Sequence, residues 1–225
     1  MDVKNAYVAV TGNTACGKSN MARLLVGKWG FAHYEERVDK DVLGKFYTDM
    51  KSIAIETEVF FITTRAEVLL KLKIMKGLSV TDFAFGVDSK VYALNLLNEG
   101  KLAREQYQKI LAAENALRPL MPKPDLLIYL RANIDVVQER IKIRGRPEED
   151  SMLTPEGAKY MTGLEQLHEK MFEEHDGPKA IIHTDKLLLV KKEGEKDQID
   201  ETLEFIEDCL HKKYEGEAFE FREKN

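Results

Sequence analysis

Residues 12–19 are the first segment of the chain whose residue types and spacing could do chemistry. They read Gly-Asn-Thr-Ala-Cys-Gly-Lys-Ser, which matches the phosphate-binding pattern Gly-x-x-x-x-Gly-Lys-Ser/Thr. Glycines in such a loop let backbone N–H groups approach phosphate oxygens closely. We predict that Lys18 brings a mobile positive charge to the terminal phosphates and that the Ser19 hydroxyl is a ligand of Mg2+. The predicted ATP-binding residues are Gly12, Asn13, Thr14, Ala15, Cys16, Gly17, Lys18 and Ser19.

Three arginines in the second half of the chain form another candidate group. Arg140 and Arg144 are four residues apart, so a helix would bring them to one face, and Arg146 follows them. Phosphoryl transfer depends on neutralising and aligning negative charge, which guanidinium groups do well. We therefore predict a lid near 144–152, with Arg140 and Arg144 as catalytic residues and Arg146 as a nucleotide contact. A solvated basic helix end is the alternative interpretation.

The elements that must position these residues alternate between strands and helices. Strands are predicted over 7–10, 31–34, 78–83, 125–130 and 180–183. Helices are predicted over 19–29, 39–73 (as a pair broken near Met50), 88–98, 101–117, 133–143, 154–174 and 200–211. This alternation predicts an α/β fold of three layers, in which helices flank a five-stranded parallel sheet. A strand precedes residues 12–19 and a helix follows them, as a P-loop requires.

Composition limits the class of protein. The chain has 225 residues and a formal net charge of −5, which argues against a dedicated nucleic-acid binder. Its two cysteines, Cys16 and Cys209, are too few for a disulfide framework or a zinc site, so we predict a reducing, cytoplasmic environment. No apolar run is long enough to predict a membrane partner. The expected organisation is a single P-loop kinase domain over 1–212, followed by a charged tail over 213–225.

With these motifs the chain resembles the deoxynucleoside kinase family, whose architecture thymidylate kinases share. The resemblance extends from Tyr7 to about Asp185. It is carried by residues 12–19, by Glu36 after the second strand, by the triplet 82–84 after the third, and by the lid segment 139–149. It implies ATP-dependent phosphoryl transfer to the 5'-hydroxyl of a deoxynucleoside, with ATP and Mg2+ as cofactors. It also implies a homodimer.

The resemblance assigns roles to individual residues. It implies that Glu36 is the general base beside the substrate 5'-hydroxyl, and that Asp82 binds Mg2+ together with Ser19. The remaining substrate contacts that it implies are Tyr47 and Glu149 at the sugar 3'-hydroxyl, and Glu58, Arg65, Asp88 and Tyr92 at the base.

Two positions depart from the family pattern. Phe83 and Ala84 stand where the family has an arginine and a serine, and that arginine normally pairs with the base carboxylate. Glu58 stands where the family usually has a glutamine. An ionised glutamate offers only acceptors, which suit the adjacent ring N–H and amino group of guanine and favour deoxyguanosine or a related 6-oxopurine. Protonation of Glu58 would instead give it one donor and one acceptor, the groups that a glutamine offers to a base.

Two other functions stay open at this point. A nucleoside monophosphate kinase on the same scaffold would need extra cations for the substrate phosphate. Arg37 is a candidate, but the adjacent Glu36 would repel that phosphate. A P-loop nucleotide-binding protein with reduced catalysis is the other alternative, because Phe83 replaces the arginine of the triplet.

The P-loop assignment predicts the effect of Lys18→Ala. The substitution removes the only side-chain cation of the loop, so it should abolish phosphoryl transfer and weaken ATP binding. Calorimetry on the variant measures the affinity. An ATP affinity and a rate that both stay unchanged would contradict the assignment.

Overall fold

A six-stranded parallel sheet forms the centre of the protein. The computed structural model describes residues 4–37, 39–187, 196–212 and 216–221. The strands are Ala6–Thr11 (β1), Ala32–Tyr34 (β2), Leu78–Thr81 (β3), Leu126–Arg131 (β4), Lys179–His183 (β5) and Phe219–Phe221 (β6). Their order is β2-β3-β1-β4-β5-β6, and each neighbouring pair is parallel. Every residue of β1 is buried, which explains its continuous apolar sequence. The predicted α/β fold is confirmed.

Helices connect the strands. They are Lys18–Trp29 (α1), Lys40–Thr48 (α2), Met50–Ile74 (α3), Ala93–Asn98 (α4), Arg104–Leu117 (α5), Ile134–Arg144 (α6), Pro155–Glu173 (α7) and Lys196–His211 (α8), with a π-helical turn at Asp88–Tyr92 and 3-10 turns at Arg118–Leu120 and Pro147–Leu153. The predicted break near Met50 is confirmed, because the Asp49 side chain accepts a hydrogen bond from the Ser52 N–H and caps α3. Within the described ranges, no helix combines the length and the apolar character that crossing a membrane requires.

The sixth strand corrects the predicted count of five. Phe219–Phe221 lies inside the segment 213–225 that the sequence predicted as a charged tail, and it pairs in parallel with β5. Glu220 alternates with the two phenylalanines, and the Phe221 ring lies 5.3 Å from the Phe205 ring of α8. This period of two is a strand signal too short to recognise within a charged sequence. Residues 213–215 and 222–225 of the predicted tail lie outside the described residues.

The carboxyl ends of three strands bring the candidate residues together. Residues 12–19 follow β1, Glu36 follows β2, and Asp82 follows β3. Since β3 lies between β2 and β1 in the sheet, these three segments are neighbours at one edge. This edge is where ligands of open α/β sheets bind.

The lid segment is fixed from both sides. Helix α6 ends at Arg144, and Gly145 turns the chain with a φ of 59°. On the other side, a Cβ atom at Gly157 of α7 would meet the Ser151 carbonyl oxygen at 2.3 Å and the Met152 Cα at 2.5 Å. The lack of a side chain at Gly157 therefore allows the first turn of α7 to pack directly on the lid.

Candidate active site

A cavity of about 690 Å³ lies at the carboxyl ends of the strands. It is lined by most of the residues that the sequence analysis singled out, which come from eight separate segments of the chain. These are Thr14, Ala15, Cys16, Gly17, Lys18, Ser19, Glu36, Tyr47, Glu58, Arg65, Asp82, Tyr92, Arg140, Arg144, Arg146 and Glu149. Gly12, Asn13 and Asp88 do not line it. A single cavity thus joins the predicted ATP site to the predicted nucleoside site.

The loop at residues 12–19 is shaped by its own backbone. Gly12 has a φ of 141°, and a Cβ there would lie 2.5 Å from the Leu130 carbonyl oxygen of β4. The Lys18 Nζ donates to the carbonyl oxygens of Gly12, at 2.9 Å, and Asn13, at 2.7 Å. These contacts curl the loop and hold the ammonium group beside the N-terminus of α1, where an anion is favoured.

Asn13 has a different place from the one its motif position suggests. Its side chain is buried, donates from Nδ2 to the Met161 carbonyl oxygen at 2.9 Å, and accepts the Thr14 N–H at 2.9 Å. The side chain therefore anchors the loop to α7, and it does not face the cavity. The prediction that Asn13 binds the nucleotide is therefore limited to its backbone, because both polar atoms of its side-chain amide already have protein partners.

Asp82 connects the loop to Glu36. Its Oδ2 accepts the Ser19 hydroxyl at 2.7 Å, its Oδ1 accepts the Glu36 N–H at 2.8 Å, and His33 Nε2 lies 3.6 Å from Oδ1. Burial alone would raise the pKa of Asp82, but these three groups outweigh it and lower the pKa to about 2. The carboxylate is therefore ionised at neutral pH.

The chemistry of Ser19 and Asp82 fits Mg2+. Both offer oxygen atoms, and Mg2+ is commonly bound by one or two protein oxygens while it keeps water and phosphate oxygens as its other ligands. A protein-only metal cage is a different arrangement. Over the residues that the structure describes, no group of three or more His, Cys, Asp or Glu side chains could form one.

Arg65 is buried between two carboxylates. Its Nε donates to Glu36 Oε1 at 2.9 Å, its Nη2 donates to the same oxygen, and its Nη1 donates to Asp88 Oδ1. Asp88 lies behind Arg65 and is 1% exposed. The predicted direct contact of Asp88 with the base is therefore not available in this structure, because Arg65 stands between Asp88 and the cavity.

Phe83 occupies the position where the resemblance predicts an arginine. It is 2% exposed, and its ring centroid lies 5.7 Å from the Arg65 guanidinium carbon. Ala84 is also buried. The triplet therefore contributes packing at this point, and the cation that contacts Glu36 comes from α3.

Glu58 lies about two helical turns before Arg65 on the same face of α3 and is 3% exposed. Burial raises the pKa of Glu58 well above its ordinary value of 4.5, and Asp88 adds to the rise while Arg65 opposes it. The raised pKa favours the protonated form of the side chain, which has one donor and one acceptor. Protonated Glu58 would offer a base the same hydrogen-bonding groups as a glutamine.

The lid arginines have separate partners. Arg144 Nη2 lies 2.6 Å from Glu149 Oε2, and Arg146 Nη1 lies 3.8 Å from Glu149 Oε1. Arg140 donates from Nη1 to the Thr184 hydroxyl at 3.2 Å and from Nη2 to the Thr184 carbonyl oxygen. Arg140 is therefore tied to the segment after β5, while buried Glu149 holds Arg144 and Arg146 in the lid.

The sequence analysis missed the apolar part of the wall. Phe61 of α3 lies three residues after Glu58 and four before Arg65, so the helical spacing around the predicted pair could have revealed it. Other apolar lining residues come from α7, α2, the lid turn and the segment after β5, where no polar pattern marks them: Tyr160, Met161, Leu164, Leu43, Phe46, Met152 and Leu187.

The structure does not support Arg37 as the extra cation that a nucleoside monophosphate kinase would need for its substrate phosphate. Arg37 is exposed and does not line the cavity.

Comparisons with known proteins find similar chains. A family model described as deoxynucleoside kinase matches residues 8–207. Deoxyguanosine kinase of Bacillus subtilis strain 168 is 30% identical over 152 residues, which cover 66% of this chain and 71% of that protein. Deoxyadenosine/deoxycytidine kinase of the same strain is 28% identical over 149 residues, which cover 65% and 69%. A structure of deoxyadenosine kinase from M. mycoides, with the products dCMP and a flexible dCDP bound, has a TM-score of 0.74 and 21% identity, covering 90% of this chain and 99% of that chain.

The protonation of Glu58 predicts how Glu58→Gln changes stability with pH. Because the pKa of Glu58 is raised in the folded protein, the folded state binds a proton that the unfolded state loses above pH 4.5. The parent therefore loses up to about 1.4 kcal/mol of stability from this group for each pH unit above that value. Glutamine does not titrate, so the free energy of unfolding of the variant minus that of the parent should grow from pH 5 to pH 8 in urea titrations.

Glu67→Gln on the same helix is the control for this measurement. Glu67 is exposed, and its hydrogen bond with Lys71 lowers its pKa. The difference in free energy of unfolding between Glu67→Gln and the parent should therefore not grow with pH. A flat difference for Glu58→Gln as well would mean that Glu58 is ionised in the folded protein.

Proposed function

The chain belongs to the deoxynucleoside kinase family, and from this we propose that its cavity transfers the γ-phosphoryl group of ATP to the 5'-hydroxyl of a deoxynucleoside. One observation carries the proposal: the same cavity is lined by Lys18 and Ser19 of the P-loop and by Glu36 and Arg65. A phosphate donor and a hydroxyl acceptor can therefore meet within one enclosed space. Catalysis of phosphoryl transfer consists mainly of such positioning together with charge stabilisation.

In the proposed reaction the 5'-oxygen attacks the γ-phosphorus of ATP. The bond between that phosphorus and the β,γ-bridging oxygen breaks, and the proton of the 5'-hydroxyl passes to the Glu36 carboxylate. The products are ADP and the deoxynucleoside 5'-monophosphate. The backbone N–H groups of residues 12–19 and the Lys18 ammonium group would bind the phosphates of ATP.

The lid would complete the charge around the phosphates. Arg144 and Arg146 are held over the cavity by Glu149, and Arg140 is held at its side by Thr184. Fixed guanidinium groups stabilise developing negative charge without the cost of reorganising at the moment of reaction. Ser19 and Asp82 would hold Mg2+, which when bound neutralises charge on the phosphate oxygens.

We propose a purine deoxynucleoside as the substrate. The relatives support a purine, since deoxyguanosine kinase of Bacillus subtilis and deoxyadenosine kinase of M. mycoides are among the similar proteins. Protonated Glu58 offers one donor beside one acceptor, which matches the amino group and the ring nitrogen of adenine, as it also would those of cytosine. Deoxyadenosine should therefore be at least as good a substrate as deoxyguanosine. The proposed contacts for the sugar and the base also include three residues that line this cavity: Tyr47, Tyr92 and Glu149.

Three further expectations stay predictions. These are a homodimer, a cytoplasmic location and a single catalytic domain over 1–212. A family resemblance carries the first, and composition carries the other two.

Glu36→Gln tests the assigned general base. The variant should bind ATP as the parent does but lose about a hundred- to ten-thousandfold in kcat, because an amide cannot accept the proton. ADP release measured against a panel of deoxynucleosides and monophosphates gives the rate, and calorimetry gives the ATP affinity. Glu35→Gln is the control, since Glu35 is the neighbouring carboxylate and also lines the cavity, so its variant should keep the rate if the role belongs to Glu36. A Glu36→Gln variant that keeps its rate within a few-fold would remove Glu36 from this role.

Glu58→Gln tests whether Glu58 contacts the base in its protonated or its ionised form. Glutamine and a protonated glutamate present the same donor and acceptor, so the variant should keep the parent's order of kcat/KM for deoxyadenosine, deoxyguanosine and deoxycytidine. An ionised Glu58 predicts a different result: a parent that prefers deoxyguanosine, with that preference lost in the variant. The three ratios measured on both proteins distinguish the two protonation states.

A further inference from the structure

Arg65 supplies the hydrogen bonds that hold the Glu36 side chain. Among the described residues, the side-chain oxygens of Glu36 accept hydrogen bonds from the Arg65 Nε and Nη2 alone. The Glu36 side chain is 19% exposed, and Asp82 holds the backbone N–H of Glu36 but not its carboxylate. The orientation of the Glu36 carboxylate therefore depends on a residue of α3 that is 29 positions away in the chain.

The other cations of the cavity have different partners. Lys18 is bonded to the carbonyl oxygens of Gly12 and Asn13, and Arg144 is paired with Glu149. Arg140 is bonded to Thr184. Three more cations line the cavity: Arg23, which is bonded to Asn20, Arg146, which is paired with Glu149, and Lys40. Within the part of the chain that the structure describes, the cation that is hydrogen-bonded to the Glu36 carboxylate is Arg65.

Aromatic rings hold the Arg65 guanidinium in place. Its central carbon lies 5.1 Å from the Phe61 ring centroid, 5.7 Å from that of Phe83 and 5.8 Å from that of Tyr92. Cations are attracted to the faces of aromatic rings at these distances. Asp88 binds Arg65 from the side opposite to Glu36. A guanidinium fixed by three rings and two carboxylates has little freedom to turn.

We propose that Arg65 is the positioning residue for Glu36 and that Asp88 and Phe83 hold Arg65 in the orientation this requires. The inference rests on the proposed function, in which Glu36 accepts the proton of the 5'-hydroxyl. Arg65 also lines the cavity near Glu58, so one guanidinium links the part of the cavity that contacts the base to the part where the phosphoryl group is transferred. A residue that only binds the base would affect KM, whereas a residue that also orients Glu36 affects kcat.

The test compares two variants that share one change. Arg65→Met alone would leave Asp88 buried without its partner, so Asp88→Asn is introduced first and Arg65→Met is added to it. Both proteins then lack the Asp88 charge and differ only in Arg65. With deoxyadenosine as the acceptor, the double variant should have a kcat about a hundredfold below that of Asp88→Asn, the loss expected when a reacting group is misplaced by about 1 Å. Its affinity for ATP, measured by calorimetry, should be unchanged, because the loop at 12–19 does not contact Arg65.

Rescue separates orientation of Glu36 from general stability. Phe83→Arg, added to the double variant, places a guanidinium in the space that Arg65 has left. It should restore kcat at least tenfold while KM for the nucleoside stays at the double variant's value. Arg118→Met added to Glu114→Gln is the matched control: Arg118 also pairs with a buried carboxylate, that of Glu114, and lies 5.7 Å from the Phe85 ring, yet it does not line the cavity. The kcat and KM of this double variant should equal those of Glu114→Gln alone.

The outcomes are distinct. A double variant with the same kcat as Asp88→Asn, and a change in KM alone, would overturn the inference and leave the proposed function intact. A parent that phosphorylates no deoxynucleoside would overturn the proposed function, and the inference with it. A fall in kcat that Phe83→Arg reverses without restoring KM supports the positioning role of Arg65.

Discussion

The burial of the Arg65 guanidinium determines much of the site around it. A charge that is 4% exposed needs partners, and removing one partner of such a pair typically costs about 3–5 kcal/mol. Glu36 and Asp88 meet this need on opposite sides, and aromatic rings cover the faces of the guanidinium. The cavity wall beside Glu36 is thus built around one cation from α3.

The same requirement explains the state of Glu58. Two carboxylates already share Arg65, and Glu58 is a third carboxyl group buried nearby. Burial raises the pKa of Glu58, Asp88 adds to the rise and Arg65 opposes it, so the surroundings favour the neutral form of the side chain. The charge balance of the helix layer therefore sets which hydrogen bonds the cavity can offer to a base.

The parallel sheet supplies the other half of the arrangement. Its strand order brings the segments after β1, β2 and β3 to one edge, and Asp82 joins them by accepting from Ser19 and from the Glu36 backbone. The lid and α7 close the same edge, with Asn13 bonded to Met161 and Gly157 packed on Ser151. Residues 12–19, Glu36 and the lid segment are consequently held by direct contacts between elements far apart in the chain.

The amino-acid sequence by itself determined the motif at residues 12–19 and the alternation of strands and helices, and through the family resemblance it indicated most of the polar residues that line the cavity. These features are readable because they follow from local backbone requirements and from hydrophobic period. The tertiary structure alone decided that Asn13 is an anchor, that Asp88 lies behind Arg65, that Phe83 packs on the guanidinium and that Phe219–Phe221 forms a sixth strand. It also determines the direction in which the pKa of Glu58 is shifted. Each of these features depends on which groups are buried together and on contacts between distant segments. Joint burial and long-range contacts cannot be predicted from residue types and spacing along the chain.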